Sequence, residues 1–197
     1  MHRPKPHNHH PLPDHAKKVF QGDRWSVYQW EQKQFDGSVI IFESVKRFDS
    51  VIVYPVIDEK IVILEEQQPH WLKASDTIVA GGINNDEDIF DAARRELEEE
   101  TGMVFKDFYL VNSEQKSKDV QSNVYVFIAK NLIAQKKPKL DAGERTTSRE
   151  VSFDELITLA KQRKFFHKPT FVDEFIIQDK VETLFDIFRN PEKYSII

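Results

Sequence analysis

The stretch "GGINNDEDIFDAARRELEEETGM", residues 81–103, combines a dense set of carboxylates with the apolar spacing of an amphipathic helix. On a wheel that advances about 100° per residue, its apolar residues form one stripe that comprises Ile89, Phe90, Ala93 and Leu97. Asp91 and Glu98 fall on the opposite side of the helix, where solvated acids belong. An acidic run on a solvated face is the simplest interpretation of such a helix.

Glu96 and Glu100 do not fit that interpretation. With Ile89 as the zero direction they lie at about 340° and 20°, and Glu99 lies just outside the stripe at about 280°. Carboxylates that face the protein body one helical turn apart need a nearby cation. Clustered carboxylate oxygens suit Mg²⁺ better than they suit a lysine or arginine partner. The stretch therefore predicts a helix that holds Mg²⁺, with Mn²⁺ as an alternative.

Neighbouring residues predict where this helix begins and ends. The pair Gly81-Gly82 indicates a turn ahead of the helix, because glycine adopts turn conformations without steric cost. Asn84 or Asp86 can cap the first main-chain amides. Gly102 is expected to end the helix.

The same stretch resembles the Nudix box, G-x5-E-x7-R-E-U-x-E-E-x-G-U with U apolar. All nine specified positions match, at Gly81, Glu87, Arg95, Glu96, Leu97, Glu99, Glu100, Gly102 and Met103. A match of this length is far more specific than a lone glycine motif. The resemblance implies hydrolysis of a nucleoside diphosphate that is linked to another group. It also implies the α+β Nudix fold, an α/β/α sandwich on a mixed central sheet.

The resemblance also implies roles for the box residues. Metal ions would be held by Glu96, Glu99, Glu100 and the main-chain carbonyl of Ala80. Glu87 and Arg95 would form a salt bridge that orients the box, with Gly81 at its start. Glu99 and Arg95 are also candidates for catalytic residues.

Alternating apolar residues predict strands on both sides of the box. Two of them, 24–35 and 38–48, are expected to form a hairpin turned at Asp36-Gly37. Further strands are expected at 50–57, 60–68, 104–115 and 123–129. A long loop is expected at 135–150. Two closing helices are expected at about 153–163, capped by Ser152 and Glu155, and at about 171–189, capped by Thr170.

The hairpin ahead of the core sheet resembles the ADP-ribose pyrophosphatase and nucleoside diphosphate sugar hydrolase branch of the family. In that branch the hairpin arm exchanges contacts across a homodimer, so a homodimer is expected here. Alternatively, these strands only cover an edge of the sheet. Trp25, Tyr28 and Trp30 are then packing residues, whereas on the first interpretation one of them stacks on a purine base.

The loop "LDAGERTTSREVSFDEL", residues 140–156, is the second informative stretch. ADP-ribose pyrophosphatases are similar here, since they carry an acidic loop whose glutamate acts as general base or as a ligand once substrate is bound. Glu144 takes that place in this sequence and is the leading candidate for the base. Asp141 and Glu150 are nearby alternatives, and Glu144 could also be an ordinary exposed loop acid.

Together the motifs predict metal-dependent hydrolysis of the pyrophosphate linkage in ADP-ribose or another nucleoside diphosphate sugar. The products would be a nucleoside monophosphate and a sugar phosphate. A house-cleaning nucleoside triphosphate pyrophosphohydrolase and a non-catalytic nucleotide sensor are the alternatives. The sensor is disfavoured because such modules commonly lose box carboxylates, and here all of them are present.

Composition agrees with a single-domain enzyme. The 197 residues are 40% hydrophobic, which suits one globular domain, expected at 21–197 after a flexible His- and Pro-rich tail at 1–20. A net charge of −5 argues against a general nucleic-acid or membrane binder. The resemblance implies a small-molecule nucleotide as the partner. The lack of cysteine and of any long apolar run predicts a soluble, cytoplasmic protein. The basic stretch 134–139 is expected to be a solvated loop.

Overall fold

A mixed ten-stranded β-sheet forms the centre of the computed structural model, which describes residues 3–140, 142–162, 165 and 170–197. The strands are β1 (Lys17–Gln21), β2 (Ser26–Lys33), β3 (Val39–Lys46), β4 (Ser50–Ile57), β5 (Lys60–Gln67), β6 (Ser75–Thr77), β7 (Val79–Gly82), β8 (Met103–Ser117), β9 (Val120–Gln135) and β10 (Arg145–Ser152). They pair in the order β1-β2-β3-β9-β4-β5-β10, with β6 on β5, β7 on β4 and β8 on β9. β9 runs parallel to β3 and β4 and antiparallel to β8, so the predicted mixed sheet is confirmed.

Four helices cover the two faces of the sheet in the described part of the chain. They are α1 (Ile89–Thr101), α2 (Phe153–Lys161), α3 (Thr170–Ile177) and α4 (Val181–Arg189), and a 3-10 turn follows at Pro191–Lys193. α1 packs on one face and the other three helices pack on the opposite face, which confirms the predicted α/β/α sandwich. Among these described helices, none is long and apolar enough to cross a membrane.

Alternating side chains in the central strands build two separate hydrophobic layers. In β4, Val51 packs with the α1 residues, whereas Tyr54 packs among residues of α2, α3 and α4. β9 alternates in the same way, since Phe127 belongs to the α1 layer and its neighbours Val126 and Ile128 belong to the other layer. This period of two places a core on each side of the sheet, as a sandwich requires.

An arm of three strands, β1 to β3, extends from the main sheet. β2 and β3 form the predicted hairpin, and Gly37 adopts a φ of 89° in the connection between them. The arm joins the main sheet where Val45 pairs with Val120 and Lys46 pairs with Gln121. β1 pairs with β2 and begins at Lys17, so the last residues of the range 1–20 lie in a strand.

The closing helices differ from the prediction in one place. The single helix expected at about 171–189 is two helices, because the chain leaves the helical conformation at Asp179, which has a φ of 56°. Thr170 is the first residue of α3, and its hydroxyl donates to Glu114 Oε1 at 2.9 Å. Ser152 caps α2 as predicted, since its hydroxyl accepts the Glu155 N–H at 3.1 Å.

The N-terminus of α1 also differs from the prediction. Asp88, rather than Asn84 or Asp86, is the N-cap, and its Oδ1 accepts the Phe90 N–H at 2.9 Å. Asn84 instead donates its N–H to Glu87 Oε2 at 2.9 Å. The two proposed caps therefore lie in a separate turn that precedes the helix.

The glycines that flank α1 have different roles. Gly81 and Gly82 lie in β7 and pair with β4, so the turn predicted at this pair is wrong. Gly102 ends the helix as predicted, since it has a φ of 72° and donates its N–H to Glu98 O at 2.8 Å. The box thus consists of a strand, a turn and a helix, and it places β7 against the last turns of α1.

Candidate active site

The carboxylates in the last turns of α1 divide between a buried and an exposed side. The Glu96 side chain is 13% exposed, whereas the Glu99 side chain is 42% exposed. Glu100 Oε2 is buried, and among the described residues it has no hydrogen-bond partner. Glu98 pairs with Lys136 Nζ at 2.8 Å. Glu96 and Glu100 therefore face inward, in the direction that the helical wheel predicts.

The surroundings of Glu100 oppose its ionisation. Burial raises the pKa of the Glu100 carboxyl well above its usual range, and the negative charges of Glu96, Glu66 and Glu144 raise this pKa further. A hydrogen bond from the main chain of Ala80 lowers the pKa by a smaller amount. An ionised Glu100 therefore needs a cation close to it.

The main chain of Ala80 faces this carboxylate from β7. Its N–H is the hydrogen-bond donor to Glu100. In an extended strand the N–H and C=O groups of one residue point to the same side. The Ala80 carbonyl is thereby directed toward the same carboxylates.

Arg95 is at the centre of the ion pairs around the box. Its Nε and Nη2 donate to the two carboxylate oxygens of Glu87 at 2.7 and 2.9 Å, which makes a bidentate pair. Its Nη1 donates to Glu96 Oε1 at 2.7 Å and to Glu99 Oε2 at 3.1 Å. Nη2 also donates to the Gly82 carbonyl at 2.9 Å. The Glu87–Arg95 salt bridge expected from the sequence is present, and it fixes Arg95 beside two helix carboxylates.

These contacts affect the partners of Arg95 differently. Hydrogen bonds from Arg95 lower the pKa of the Glu87 carboxyl. Burial raises the pKa of the Glu96 carboxyl, and the opposing contacts with Arg95 do not cancel that effect. Arg95 thus compensates the charge of Glu87 well, while part of the desolvation cost of Glu96 remains.

Gly81 makes room for the Glu96 carboxylate because it has no side chain. A Cβ atom at this position would lie 1.9 Å from Glu96 Cδ and 2.1 Å from each carboxylate oxygen. Glycine is therefore needed for the close approach of the Glu96 side chain to β7, which is a different role from the predicted turn.

A cavity of about 170 Å³, here called the carboxylate cavity, gathers most of the predicted site residues. Its lining comprises Ala80, Gly81, Gly82, Glu96, Glu99, Glu100, Lys139 and Glu144. Glu144 precedes β10, and its Oε1 accepts a long hydrogen bond of 3.4 Å from Gln68 Nε2. Within the described residues, no three acidic or histidine side chains are already drawn together as a metal-binding cluster.

The alternatives to Glu144 do not lie in this lining. Glu150 lies on β10 and pairs with Lys60 Nζ at 3.0 Å, where both side chains are partly exposed. Asp141 lies outside the described residues. Of the two candidates that the structure describes, Glu144 is the one at the carboxylate cavity.

Residues that the sequence does not single out also shape this region. Gln68 Nε2 donates to Glu66 Oε1 at 2.6 Å in addition to its contact with Glu144. Lys139 belongs to the stretch expected to be a solvated loop, yet its N–H donates to Glu99 O at 2.8 Å and it lines the cavity. The run of lysines opposite an acidic helix is a signal of charge complementarity that could have indicated this contact.

A larger space of about 740 Å³, here called the basic cleft, lies between the arm and the box. Its cationic lining residues are Lys18, Arg24, Lys46, Arg47 and Arg95. The Arg47 guanidinium lies 5.5 Å from the Trp25 ring centroid and 4.5 Å from that of Phe48. Tyr28 lines the cleft, whereas Trp30 packs on Phe42 at 5.6 Å. Gly82 and Glu96 line both spaces, so the basic cleft adjoins the carboxylate cavity.

The donor set of the carboxylate cavity fits a divalent cation of the Mg²⁺ type. The groups that surround it are carboxylates and a main-chain carbonyl, and hard cations prefer such oxygen ligands. Glu100 Oε2 supplies a buried acceptor without a partner among the described residues. A cation beside it would offset the charge that burial disfavours.

Comparisons with known proteins agree with this geometry. The model of the NUDIX domain family matches residues 46–174. The chain is similar to the ADP-ribose pyrophosphatase of Bacillus subtilis (strain 168), at 27% identity over 157 residues that cover 78% of this chain and 85% of that protein. Its fold is similar to the crystal structure of an ADP compounds hydrolase, with a TM-score of 0.70 and 17% identity over 89% of this chain and 96% of that chain.

The family match includes the whole box and extends over more than half of the chain. It begins at the end of β3 and ends within α3, so it covers β4 to β10 together with α1 and α2. The chain therefore belongs to the Nudix family and is a Nudix pyrophosphohydrolase.

Proposed function

We propose that this protein hydrolyses the pyrophosphate linkage of ADP-ribose or another nucleoside diphosphate sugar in a reaction that requires Mg²⁺, with Mn²⁺ as an alternative. The similarity to an ADP-ribose pyrophosphatase supports this substrate class. The observation that carries the proposal is the buried Glu100 carboxylate, which lies near Glu96 and has an oxygen without a partner among the described residues.

Glu96, Glu99, Glu100 and the Ala80 carbonyl would hold the cation. When bound, Mg²⁺ would neutralise charge on the phosphate oxygens and lower the pKa of a water molecule. Glu96 and Glu99 would then give up part of their pairing with Arg95 Nη1. Arg95 would keep its bidentate pair with Glu87, so the guanidinium would stay in place.

Three adjoining spaces suit the three parts of such a substrate. The basic cleft offers cations and aromatic rings to the nucleotide end. The carboxylate cavity, which adjoins it, would take the pyrophosphate. A third cavity of about 400 Å³ would take the sugar and is lined by Gln67, Gln68, Pro69, Ala142, Gly143, Glu144 and Arg145.

Glu144 would accept the proton of the attacking water. It lines both the carboxylate cavity and the third cavity, so it lies where the pyrophosphate would meet the sugar. A general base must come within hydrogen-bond reach of the water, and Glu144 already lines the cavity that would hold the pyrophosphate. Lys139, on the same lining, would offer its ammonium group to a phosphate oxygen.

The arm supports a homodimer. Four consecutive residues of β3 are apolar and exposed, namely Val39 at 58%, Ile40 at 44%, Ile41 at 57% and Phe42 at 39%. Successive residues of a strand point to opposite faces, so both faces of the arm carry uncovered apolar side chains. A second copy of the chain is the partner that we propose for these faces.

The metal role and the substrate class can be tested in one screen. With Mg²⁺, the wild-type protein is expected to hydrolyse ADP-ribose or another nucleoside diphosphate sugar faster than any nucleoside triphosphate, as followed by chromatographic detection of the nucleoside monophosphate product. Glu100→Gln should lose nearly all turnover and stay folded, because it removes one buried charge and keeps the side-chain shape. Glu98→Gln, whose partner is Lys136, is the matched control and should keep its turnover. Unchanged turnover in Glu100→Gln would contradict the metal role.

The base is tested by the equivalent change at Glu144. Glu144→Gln should lower kcat by roughly 10²–10⁴-fold, which is the usual contribution of general-base catalysis to the rate. The affinity for Mg²⁺ should stay nearly unchanged. Glu150→Gln on β10 and Asp141→Asn should do much less. If Glu144→Gln keeps more than about a tenth of the wild-type kcat at saturating Mg²⁺, another carboxylate accepts the proton. Glu99 is then the next candidate for the base.

The homodimer is tested by light scattering on the purified protein. The wild-type mass should be twice the 23.2 kDa of one chain at micromolar concentration. Ile41→Lys should shift the equilibrium toward monomer, because it places a charge on an apolar face of the arm. Leu72→Lys, at a fully exposed position outside the arm, should leave the mass unchanged. A monomeric wild-type protein would count against the dimer.

A further inference from the structure

The N-terminal segment from Arg3 to His10 packs against the domain, although its composition predicts a flexible tail. The Asn8 side chain pairs with the main chain of Gln115 in β8, donating to its carbonyl and accepting its N–H, both at 2.9 Å. The His10 N–H donates to Gln115 Oε1 at 2.8 Å. Pro6, between these contacts and Arg3, is buried. The segment is therefore held at a defined place on the surface of the sheet.

Arg3 brings the start of this segment to the turn that precedes α1. Its Nη2 donates to Asn84 O at 2.8 Å and to Glu87 O at 3.2 Å, and its Nη1 donates to Asp49 Oδ2 at 3.3 Å. The Tyr125 hydroxyl donates to the carbonyl of the next residue, Pro4, at 3.0 Å. One guanidinium thus holds both ends of the turn from Asn84 to Glu87.

Asp49 gives that guanidinium a fixed support. Its Oδ1 accepts the Asn123 N–H at 2.8 Å, and its main-chain carbonyl accepts the Ile83 N–H at 2.9 Å. Asp49 immediately precedes β4, and Asn123 lies on β9. Arg3 therefore links the turn to the two parallel strands at the centre of the sheet.

The turn held by Arg3 carries the partner of Arg95. Within it, the Asn84 N–H donates to Glu87 Oε2 at 2.9 Å, and the Glu87 N–H donates to Asn84 O at 3.3 Å. The Glu87 carboxylate forms the bidentate pair with Arg95, which in turn contacts Glu96 and Glu99. The main chain of Glu87 is bound by Arg3, and its side chain is bound by Arg95.

We propose that Arg3 is a positioning residue that acts through Glu87 to orient Arg95 beside the box carboxylates. A charge-assisted contact to the main chain of Glu87 limits the displacement of its carboxylate. A displaced Glu87 would leave Arg95 free to shift toward Glu96 and Glu99, in competition with the cation. The expected effect on catalysis rests on the proposed function. The expected effect on the position of Arg95 rests on the hydrogen bonds alone.

The first measurement is kinetic and uses all 197 residues of the chain. Arg3→Met should lower kcat for the nucleoside diphosphate sugar by about 3- to 10-fold and change KM by less than about twofold, because Arg3 is outside the lining of the three cavities assigned to the substrate. Arg3→Lys keeps the charge and should recover part of the loss. Lys5→Met removes an exposed cation from the same segment and should match the wild-type kcat.

The second measurement reports on the Arg95 guanidinium directly and does not require turnover. Hydrogen exchange at the Arg95 Nε–H, which donates to Glu87, is measured by ¹⁵N NMR and assigned with Arg95→Lys. Arg3→Met should speed this exchange several-fold relative to Lys5→Met, and Arg3→Lys should do so less. Equal exchange rates in Arg3→Met and Lys5→Met would overturn the inference. A wild-type protein that hydrolyses no nucleoside diphosphate sugar would instead refute the proposed function and leave the exchange comparison valid.

Discussion

The unfavourable burial of the Glu96 and Glu100 carboxylates against β7 is the constraint on which the rest of the site depends. Gly81 permits it, because any side chain there would occupy the space of the Glu96 carboxylate. Arg95 offsets part of the cost at Glu96, whereas Glu100 Oε2 has no hydrogen-bond partner among the described residues and burial raises the pKa of its carboxyl. A divalent cation is the group that would offset this remaining cost.

Regular elements and a connecting segment contribute different parts of the site. α1 and β7 supply the inward carboxylates and the Ala80 carbonyl, which lie in regular elements with fixed geometry. Glu144 comes from the connection that leads into β10, and β10 pairs along its whole length with β5. That pairing brings Glu144 close to the α1 carboxylates, while Glu144 itself lies just ahead of the strand. In the proposed reaction, α1 and β7 would hold the metal ion, and Glu144 on the connecting segment would act as base after substrate is bound.

Local patterns in the sequence explain which features could be predicted. The β2–β3 hairpin and the end of α1 follow from Gly37 and Gly102, whose positive φ angles glycine accepts at little cost. The direction of Glu96 and Glu100 follows from helical periodicity. The N-cap at Asp88 does not follow from the sequence, because the neighbouring Asn84 and Asp86 suit the same role. The break at Asp179 does not follow either, because no glycine or proline marks it.

Contacts between distant segments explain what could not be predicted. Lys139 reaches the C-terminal end of α1 because β9 continues to Gln135 and directs the lysine stretch across the helix. Gln68 meets Glu144 because β5 and β10 pair in register. Arg3 reaches the box across 84 positions of sequence. Charge complementarity hints at the lysine contact, but no local pattern encodes the contacts of Gln68 and Arg3, which only the assembled sheet brings to the site.

The most direct test of the central claim is the stability of the protein with and without Mg²⁺ at matched ionic strength. If the inward carboxylates bind the cation, Mg²⁺ at 100 times its Kd should raise the free energy of unfolding by about 2.7 kcal/mol. The control is the same ionic strength made up with KCl, which should give no comparable increase. An equal free energy of unfolding in the two salts, measured by urea denaturation, would contradict the account.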